Sequence, residues 1–472
     1  MATRVLRVRA DARDKLRQGI AQIREELGVS EEFPPEVEQA AEAAAGHPRL
    51  PDLDLTDVPF VTIDPESAMD LDQAMHLSRD GAGYVVRYAI ADLTAFITPG
   101  DPVDLEANER GESLYGADSK IPLHPKVISE AAASLLPDQV RPAFVWTLDL
   151  DADGQVNEVR VERARVRSTA KLDYESVQAR GAGDELFDLL KEIGERRIAI
   201  EAERGGVNLP MPEQEIVVDG DQWRLEFRSM LPVETWNAQI SLMTGFAAAD
   251  LMVRHKVGLL RTLPPPPQGA VDRLRRQAKA LKVDWPADED YPAFIRRLDP
   301  ETPSEAAMVV ASTVLLRGAG YVGFHGEVPE QPEHAALAST YAHCTAPLRR
   351  LVDRYALEVC ACLCAGEPVP QWVLDKLDEL PATMQESGRR AHAYENAVVD
   401  LVEAATLKDR VGEKFAAVVL EVDRKDRHRA DIQIEEPAVE ATATGTNPPV
   451  GAEVTATLAE ADPATRTVRF TI

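Results

Sequence analysis

The sequence has few cysteines, no long apolar run and no excess of basic residues. Its 472 residues include four cysteines, too few for the disulfide framework of a secreted protein of this length. Nowhere do about 18 apolar residues follow one another, so we expect no membrane-spanning helix. The basic N-terminal residues lead into no apolar stretch, so we expect no signal peptide. These absences predict a cytoplasmic protein that does not bind membranes.

The net charge of −28 disfavours a nucleic-acid-binding protein, because phosphate contacts dominate that affinity. Net charge, however, describes the whole surface rather than one groove. Arginines are clustered, for example at Arg349-Arg350 and Arg389-Arg390. Composition is therefore compatible with a basic channel inside an acidic molecule, and only the motifs can decide.

The distribution of apolar residues predicts an α+β protein in three parts. Residues 1–50 are expected to form a small helical element, which could have a helix-turn-helix-like fold. Residues 51–408 begin with strand-like runs and become mostly helical from about Tyr174, and we expect a mixed or antiparallel sheet with flanking helices. Residues 409–472 contain short strand-like runs separated by polar turns, which is typical of a small β-barrel. These runs are Phe415–Asp423, Ala430–Ile434, Glu453–Ala459 and Thr467–Ile472. The strongest predictions are strands at Val58–Ile63, Tyr84–Ile90, Phe144–Leu150 and Val156–Val166 and helices at Glu185–Arg204, Glu234–His255, Ser304–Arg317, Pro347–Cys364 and Trp372–Leu407.

Three aspartates in one short segment are the strongest chemical signal. Asp64 ends an apolar strand, and Asp70 and Asp72 are two residues apart, which places both on one face of an extended backbone. Three converging carboxylates repel one another unless a hard cation such as Mg²⁺ or Mn²⁺ neutralises them. Such a cation supports the hydrolysis of phosphodiesters.

Two other interpretations of acidic segments remain open at this point. The spacing of the three aspartates alone favours a solvated acidic turn over a metal site. The better match to a calcium loop is Asp149–Gly154, but Arg160 stands where such a loop needs a closing glutamate. We therefore interpret Asp151–Gly154 as the turn of a β-hairpin.

Further motifs accompany the aspartates in a defined order. They are Tyr88-Ala-Ile-Ala-Asp92, Arg110-Gly111 through Tyr115, Ile121-Pro-Leu-His-Pro125, Ser134-Leu-Leu-Pro137, Lys171-Leu-Asp-Tyr174 and Tyr341-Ala-His-Cys-Thr345-Ala-Pro347-Leu-Arg349-Arg350. On these motifs, about residues 51–472 resemble the ribonuclease II/ribonuclease R (RNB) family. The resemblance implies a processive, magnesium-dependent 3′→5′ exoribonuclease that degrades RNA to 5′-mononucleotides, with Mn²⁺ as a second metal candidate.

The resemblance also implies the catalytic residues. It assigns Asp64, Asp70 and Asp72 to catalysis and to the metal centre, with Gln73 as a further metal-site residue. Arg349 corresponds to the arginine that holds the scissile phosphate. For Arg349 the alternative is a helix-start residue in a surface ion pair.

Five residues are assigned to RNA binding in the same way. Tyr115 corresponds to a tyrosine that packs on the terminal nucleotide, and Tyr174 to one beside its sugar. Glu395 corresponds to a glutamate near the 3′ end, and Arg350 and Arg390 are expected to line the channel. For both tyrosines, packing in the core is the alternative.

The sequence departs from the family pattern at several positions. Gln73 replaces a fourth aspartate, and its amide can coordinate a metal but brings no charge and cannot act as a base. Leu209 replaces a phenylalanine that clamps bases, and Ser241-Leu242 replaces an acidic pair that contacts the 2′-hydroxyl. The alternatives are therefore a catalytically weakened RNA-binding protein that uses the same channel, or a less sugar-selective metal phosphodiesterase.

The resemblance carries expectations for the domains as well. Residues 409–472 resemble the S1-type OB RNA-binding domain of the family. Fifty N-terminal residues cannot hold the two cold-shock domains of most members, so we expect a short form without them. The expected partners are single-stranded RNA and, through a more open channel, structured RNA with a 3′ overhang; the expected oligomeric state is a monomer.

Overall fold

The computed structural model describes residues 10–117, 120–209, 213–219, 222–228, 230–300, 302–423, 426–445 and 448–472. Ten of the strands build two closed β-barrels of five strands each, and helices precede and separate the barrels. The predicted α+β class is confirmed, including a helical N-terminal element and a C-terminal barrel. In the part of the chain described, no helix is long and apolar enough to span a membrane.

The first barrel contains five strands from the first half of the chain. The strands of this half are β1 (Phe60–Ile63), β2 (Gln73–Asp80), β3 (Gly83–Ala91), β4 (Leu114–Tyr115), β5 (Lys120–Ile121), β6 (Val140–Leu150) and β7 (Val156–Leu172). The barrel closes in the order β1-β2-β3-β6-β7, with β1 parallel to β7 and the other pairs antiparallel. The turn between β6 and β7 lies at Asp151–Gly154, as predicted, and the Asp151 carboxylate accepts from the backbone N–H of Asp153.

Helices cover this barrel and supply most of the large core. The helices are α1 (Ala10–Leu27), α2 (Pro35–Gly46), α3 (Pro102–Arg110), α4 (Tyr174–Arg180), α5 (Glu185–Arg204), α6 (Pro232–His255), α7 (Gln268–Leu281), α8 (Tyr291–Arg296), α9 (Pro303–Ser312), α10 (Leu351–Ala365), α11 (Gln371–Leu374) and α12 (Leu380–Leu407). Trp146 of the barrel, Ile240 of α6 and Tyr355 of α10 belong to one buried cluster. Because α10 is buried over most of its length, the residues that precede it are firmly positioned.

Four two-stranded sheets lie outside the two barrels in the described part of the chain. They comprise β8 (Glu213–Asp219) with β9 (Gln222–Arg228), β10 (Val257–Thr262) with β11 (Gly320–His325), and β12 (Glu333–His334) with β13 (Ser339–Thr340), besides β4 with β5. The antiparallel pair β10 and β11 lies beside α6 and α10. None of these strands was predicted from the sequence.

The C-terminal barrel has the strand order expected of an OB fold. Its strands are β14 (Lys414–Val422), β15 (Arg429–Ile434), β16 (Val439–Thr444), β17 (Glu453–Asp462) and β18 (Thr467–Thr471). They close in the order β14-β15-β16-β18-β17, with β16 parallel to β18. The predicted barrel is confirmed, although β16 was missed in the sequence.

The two N-terminal helices pack against different parts of the molecule. Leu16, Ile20 and Ile23 of α1 share a core with α12 and the C-terminal barrel. Val37 and Ala41 of α2 instead join a core formed with the first barrel. The N-terminal element therefore connects both barrels rather than standing apart from them.

Candidate active site

The loop between β1 and β2 carries the three aspartates. The N–H of Asp64 donates to the carbonyl of Leu172 on β7 at 3.0 Å, which fixes the start of the loop. Ser134 fixes its end, because its hydroxyl donates to the Met69 carbonyl at 2.7 Å and accepts from the Leu71 N–H at 3.0 Å. Six intervening residues are thus held at both ends against the barrel.

Asp72 is a buried carboxylate at the end of this loop. Its Oδ1 accepts from the backbone N–H of Leu348 at 2.7 Å, and its Oδ2 lies 3.8 Å from Nε of Arg349. Burial raises the pKa of Asp72 well above its ordinary range, and the Arg349 guanidinium opposes that shift. The structure therefore joins the aspartate loop to the segment before α10, as expected if both belong to one site.

Asp64 belongs to the same electrostatic neighbourhood. Burial, followed by the negative charge of Asp70, raises the pKa of Asp64 to about 6. Lys171 and Arg349 act in the opposite direction. Asp64 and Asp70 therefore interact as like charges, as the sequence-based hypothesis requires.

A lysine that the sequence analysis did not single out contacts Asp70. Nζ of Lys120 lies 2.8 Å from Oδ2 of Asp70 and 3.2 Å from Oε1 of Glu130. Lys120 belongs to β5 and pairs with Tyr115 of β4, which places both side chains at the site. The lysine is 50 residues from its partner, so no local pattern could have revealed it.

A second missed feature is a hydrogen-bond network behind the aspartates. The Gln73 side-chain amide donates to the carbonyl of Thr345. The Thr345 hydroxyl is 2.8 Å from the hydroxyl of Ser241, which in turn hydrogen-bonds Tyr88. The network ties β2, β3 and α6 to the segment that carries Arg349.

Both predicted tyrosines border the carboxylates. Tyr115 is 42% exposed. The pKa of its hydroxyl is raised, mainly by partial burial and also by the negative charges of Asp70 and Asp72. Tyr174 begins α4, and its hydroxyl accepts from Nδ2 of Asn237 at 3.5 Å. Burial and then the negative charge of Asp64 raise the pKa of Tyr174 to about 12. Their assignment to RNA binding stays a prediction.

The other three predicted RNA-binding residues form a second group. Arg350 makes a two-pronged salt bridge to Asp353, with distances of 2.8 and 2.9 Å. Arg390 donates to the carbonyls of Glu109 and Arg110 at 3.0 and 3.1 Å. The pKa of Glu112 is raised mainly by burial, and the negative charge of the nearby Glu395 adds to this shift. This group surrounds residues 109–113, and its arginines are engaged with protein acceptors.

The predicted metal site contains three carboxylates and one side-chain amide. In the chain as described, no group of three or more His, Cys, Asp or Glu side chains lies close enough to hold a metal ion. Oxygen donors are the ligands that a hard divalent cation prefers, and the negative charge of Asp70, which raises the pKa values of Asp64 and Asp72, would be offset by such a cation. The metal assignment of Asp64, Asp70, Asp72 and Gln73 stays a prediction.

Comparison with protein families gives two matches. Residues 53–362 match the RNB domain, and residues 413–472 match the RNase II-type exonuclease C-terminal S1 domain. Ribonuclease R of Escherichia coli is 26% identical over 430 residues, which cover 84% of this chain and 50% of that protein. Exoribonuclease 2 of Vibrio vulnificus is 38% identical over 127 residues, which cover 26% of this chain and 19% of that protein. The chain spans about half the length of the curated ribonuclease R relatives it matches.

Solved structures show the same fold. Mycoplasma genitalium RNase R in complex with ribose-methylated single-stranded RNA superposes with a TM-score of 0.84 at 19% identity, covering 97% of this chain and 78% of that chain. Yeast Ssd1, described as a pseudonuclease, superposes with a TM-score of 0.72 at 15% identity, covering 91% of this chain and 55% of that chain. Since the RNB domain model matches well over half of its residues, the chain belongs to the RNB family.

Proposed function

We propose that this protein is a processive 3′→5′ exoribonuclease that hydrolyses RNA to 5′-mononucleotides with Mg²⁺, or with Mn²⁺ in its place. The observation that carries the proposal is the contact between the buried Asp72 and Arg349 beside Asp64 and Asp70. A phosphodiester hydrolase needs acidic oxygens next to a cationic phosphate-binding group. The 3′→5′ direction and the mononucleotide product are supported by membership of the RNB family.

Arg349 is the group suited to hold the scissile phosphate. Its side chain is 43% exposed, whereas Asp72 beneath it is 5% exposed, so the guanidinium has an accessible face above a fixed carboxylate. A planar guanidinium donates two parallel hydrogen bonds to phosphate oxygens and stabilises the charge that develops there. When bound, the divalent cation would make water more acidic and stabilise the leaving oxygen. Asp64, Asp70 and Asp72 would hold it, with the Gln73 oxygen as a further donor.

The RNA end is proposed to lie against the exposed ring of Tyr115, with its sugar near Tyr174. An exposed aromatic ring offers a stacking surface that every base can use. Arg390 and Glu395 would contact the RNA farther from the reacting phosphate. Arg350, which is held by Asp353, would position the protein backbone that lines the channel there. The S1 barrel would bind the upstream strand and prolong each encounter. We propose that a monomer carries out the whole cycle in the cytoplasm.

The first test is Asp72→Asn on a 3′-extended RNA oligonucleotide. The amide is nearly isosteric but removes the negative charge, so release of mononucleotides is expected to fall at least 100-fold. Asp80→Asn is the matched control, because Asp80 is exposed at the far end of the same strand β2. Release at the wild-type rate by Asp72→Asn would refute the catalytic assignment.

The alternative of an RNA-binding protein without turnover rests on Gln73, which stands where the family pattern has a fourth aspartate and whose amide donates to the Thr345 carbonyl. Similarity in fold to a pseudonuclease keeps it in consideration. Purified protein incubated with RNA in the presence and absence of EDTA separates the two. Binding in a gel shift without any EDTA-sensitive product would favour the alternative.

Weak sugar selectivity is a further alternative, supported by Ser241. Its hydroxyl is engaged with Thr345 and carries no charge with which to grip a 2′-hydroxyl. RNA and DNA oligonucleotides of the same sequence would be compared in initial rate. We expect RNA to be preferred, and equal rates would instead identify a general metal phosphodiesterase.

Structured RNA with a 3′ overhang is proposed as a second substrate. A related RNase R has been captured in complex with double-stranded RNA, and its fold matches this chain with a TM-score of 0.83. A stem with a 3′ tail should be degraded into the duplex. Products that stop at the base of the stem would restrict the protein to single strands.

A further inference from the structure

A cavity of about 310 Å³ lies outside the active site. Its wall combines charged, aromatic and apolar side chains, among them Arg49, Asp92, Arg163, Arg354, Glu358 and Trp372. Among the described residues, neither the aspartate loop nor Arg349 contributes to this wall. The volume is at the lower end of the range for small-molecule sites, which suits a ligand of nucleoside size.

The charged groups around the cavity balance one another. Arg163 bridges two carboxylates, with its Nε 3.1 Å from Oδ2 of Asp92 and its Nη2 in contact with Oε2 of Glu358. Arg354 forms an ion pair with Asp104, which lies behind the wall, at 2.6 Å. The remaining arginine of the wall donates to backbone carbonyls. Three guanidinium groups thus accompany three carboxylates, so a neutral ligand leaves no charge unbalanced, whereas an ion would.

Arg354 has hydrogen-bond donors that the fold does not use. Its side chain is 1% exposed, and its Nε and Nη2 find no acceptor among the described residues. Buried donors without an acceptor are costly, and water or a ligand usually satisfies them. The guanidinium centre lies 5.1 Å from the centre of the Trp372 ring. Donors and an aromatic surface therefore border the same space.

Glu358 places an acceptor next to these donors. It follows Arg354 by four residues on α10, so both side chains lie on one face of the helix. Its Oε2 accepts from Arg163, whereas the contact found for Oε1 is a weak one, from Sγ of Cys362 at 3.7 Å. Paired donors beside a carboxylate oxygen match a planar base that has acceptors on one edge and N–H groups on the next.

We propose that this cavity binds a guanine base, with O6 and N7 on Arg354, N1–H and the 2-amino group on Glu358 and the ring against Trp372. Arginine recognises guanine through O6 and N7, whereas adenine presents an amino group in place of O6 and pyrimidines lack N7. A guanine nucleoside, a guanine nucleotide and an unpaired guanine of RNA all offer this base. The inference goes beyond the proposed function, because it concerns a second site whose occupation needs no turnover.

The test is calorimetric titration of the full-length protein with guanosine, adenosine and 7-deazaguanosine, which lacks the N7 acceptor. One guanosine per chain is expected to bind at least about tenfold more tightly than either comparison ligand, as a two-pronged arginine contact allows. Guanosine should also slow hydrogen exchange in residues 92–99 and in α11. Equal affinity for adenosine, absence of guanosine binding, or protection confined to the aspartate loop would overturn the proposal.

Two variants change the wall without changing the active site. In Glu358→Gln, Arg163 takes the remaining oxygen and an amide N–H faces the ligand, so guanosine should bind at least about tenfold more weakly; Glu367→Gln, exposed just after α10, is the control. Leu50→Trp narrows the cavity at a 48% exposed position and should weaken binding similarly. Its control is Leu53→Trp, at an exposed position outside the wall. Wild-type affinity in both Glu358→Gln and Leu50→Trp would refute the site.

The source of the base is distinguished by two RNAs of equal length, one with unpaired guanines and one of uridine alone, added in EDTA. Slower exchange in residues 92–99 with the guanine-containing RNA alone would assign the site to RNA. Slower exchange with guanosine but with neither RNA would assign it to a free nucleoside or nucleotide. Equal protection by both RNAs would contradict recognition of guanine.

Discussion

Two adjacent arginines at the start of α10 have opposite surroundings. The Arg350 side chain is 16% exposed and forms a bidentate salt bridge to the fully buried Asp353. The Arg349 side chain is 43% exposed, and among the described residues its ion pair is a long contact with Asp72 at 3.8 Å. A substrate phosphate can therefore reach Arg349, whereas removing Arg350 would leave a buried carboxylate without its partner. The family resemblance assigned different roles to the two arginines, and the fold adds the physical difference between their surroundings.

Replacement of Arg349 should affect turnover more than folding. Arg349→Ala is expected to lower kcat about 100- to 1000-fold, the usual loss when one group that stabilises transition-state charge is removed. Arg349→Lys should recover only part of this, because an ammonium group cannot make the two-pronged contact. Steady-state kinetics on a short RNA, together with thermal unfolding, would measure both effects. Normal kcat in Arg349→Ala would exclude a role in binding the reacting phosphate.

Tyr115 provides a second prediction for a single residue. Its ring is exposed beside the carboxylates, and loss of a stacked base contact costs about 1–3 kcal/mol. Tyr115→Ala should therefore raise KM for a short RNA by about five- to 100-fold, while Tyr115→Phe, which keeps the ring, should behave like wild type. A similar loss in both variants would assign the effect to the hydroxyl instead of to stacking.

Among the elements, helices with clear ends could be predicted and irregular strands could not. The helix Glu185–Arg204 was predicted to the residue. Its limits have local causes: the Asp184 carboxylate accepts from the Phe187 N–H, and Gly205 ends the helix with φ of +86°. Strand β2 was missed, because only three of its eight residues are buried and their spacing is irregular. Its place depends on pairing with β3, which is a tertiary property.

The same distinction applies to the site. Asp64, Asp70, Asp72 and Arg349 were identified because each belongs to a recognisable motif. Lys120 and Ser241 have no such local context, since their partners lie 50 and about 100 residues away in the chain. Folding, and not spacing, brings these groups together, so they emerge only from the structure.

Three elements meet at Glu403, where a buried acid should make stability depend on pH. Glu403 of α12 is 4% exposed and accepts from Gln214 of β8 at 2.8 Å and from the Glu440 N–H of β16 at 3.2 Å. Burial raises its pKa to about 7 from an ordinary value near 4.5. The folded state thus binds the proton more tightly than the unfolded state. The stability that this protonation gives is complete below about pH 4.5 and is lost as pH rises to about 7.

Glu403→Gln should remove this dependence. At pH 8 the variant is expected to be more stable than wild type by about 1–3 kcal/mol, and at pH 5 the difference should be small. Urea denaturation at both pH values would measure it. Glu435→Gln is the control, because Glu435 is exposed on the same barrel and should change neither value. An unchanged pH slope in Glu403→Gln would mean that the carboxyl group does not retain its proton in the fold.

For the whole molecule, the two ends of the chain are parts of one unit. Leu16, Ile20 and Ile23 of α1 pack with Leu401 of α12 and with the C-terminal barrel, and Glu26 forms an ion pair with Arg466 at 2.6 Å. The S1 barrel is thus packed against α1 as well as against α12 of the catalytic domain. Its orientation toward the site depends on a helix at the opposite end of the sequence.

Ile20→Ala should therefore weaken the C-terminal unit although Ile20 is remote from it in sequence. Ile20 is 1% exposed, and truncation of such a side chain costs about 2–5 kcal/mol. Urea denaturation should show an earlier transition, with hydrogen exchange rising in β14–β18 before the first barrel. Gln18→Ala, on the exposed face of the same helix, should have no such effect. Because a loosened S1 barrel releases the upstream strand sooner, processivity on long RNA should fall while cleavage of a short oligonucleotide is kept. Unchanged exchange in the barrel would show that α1 stabilises only itself.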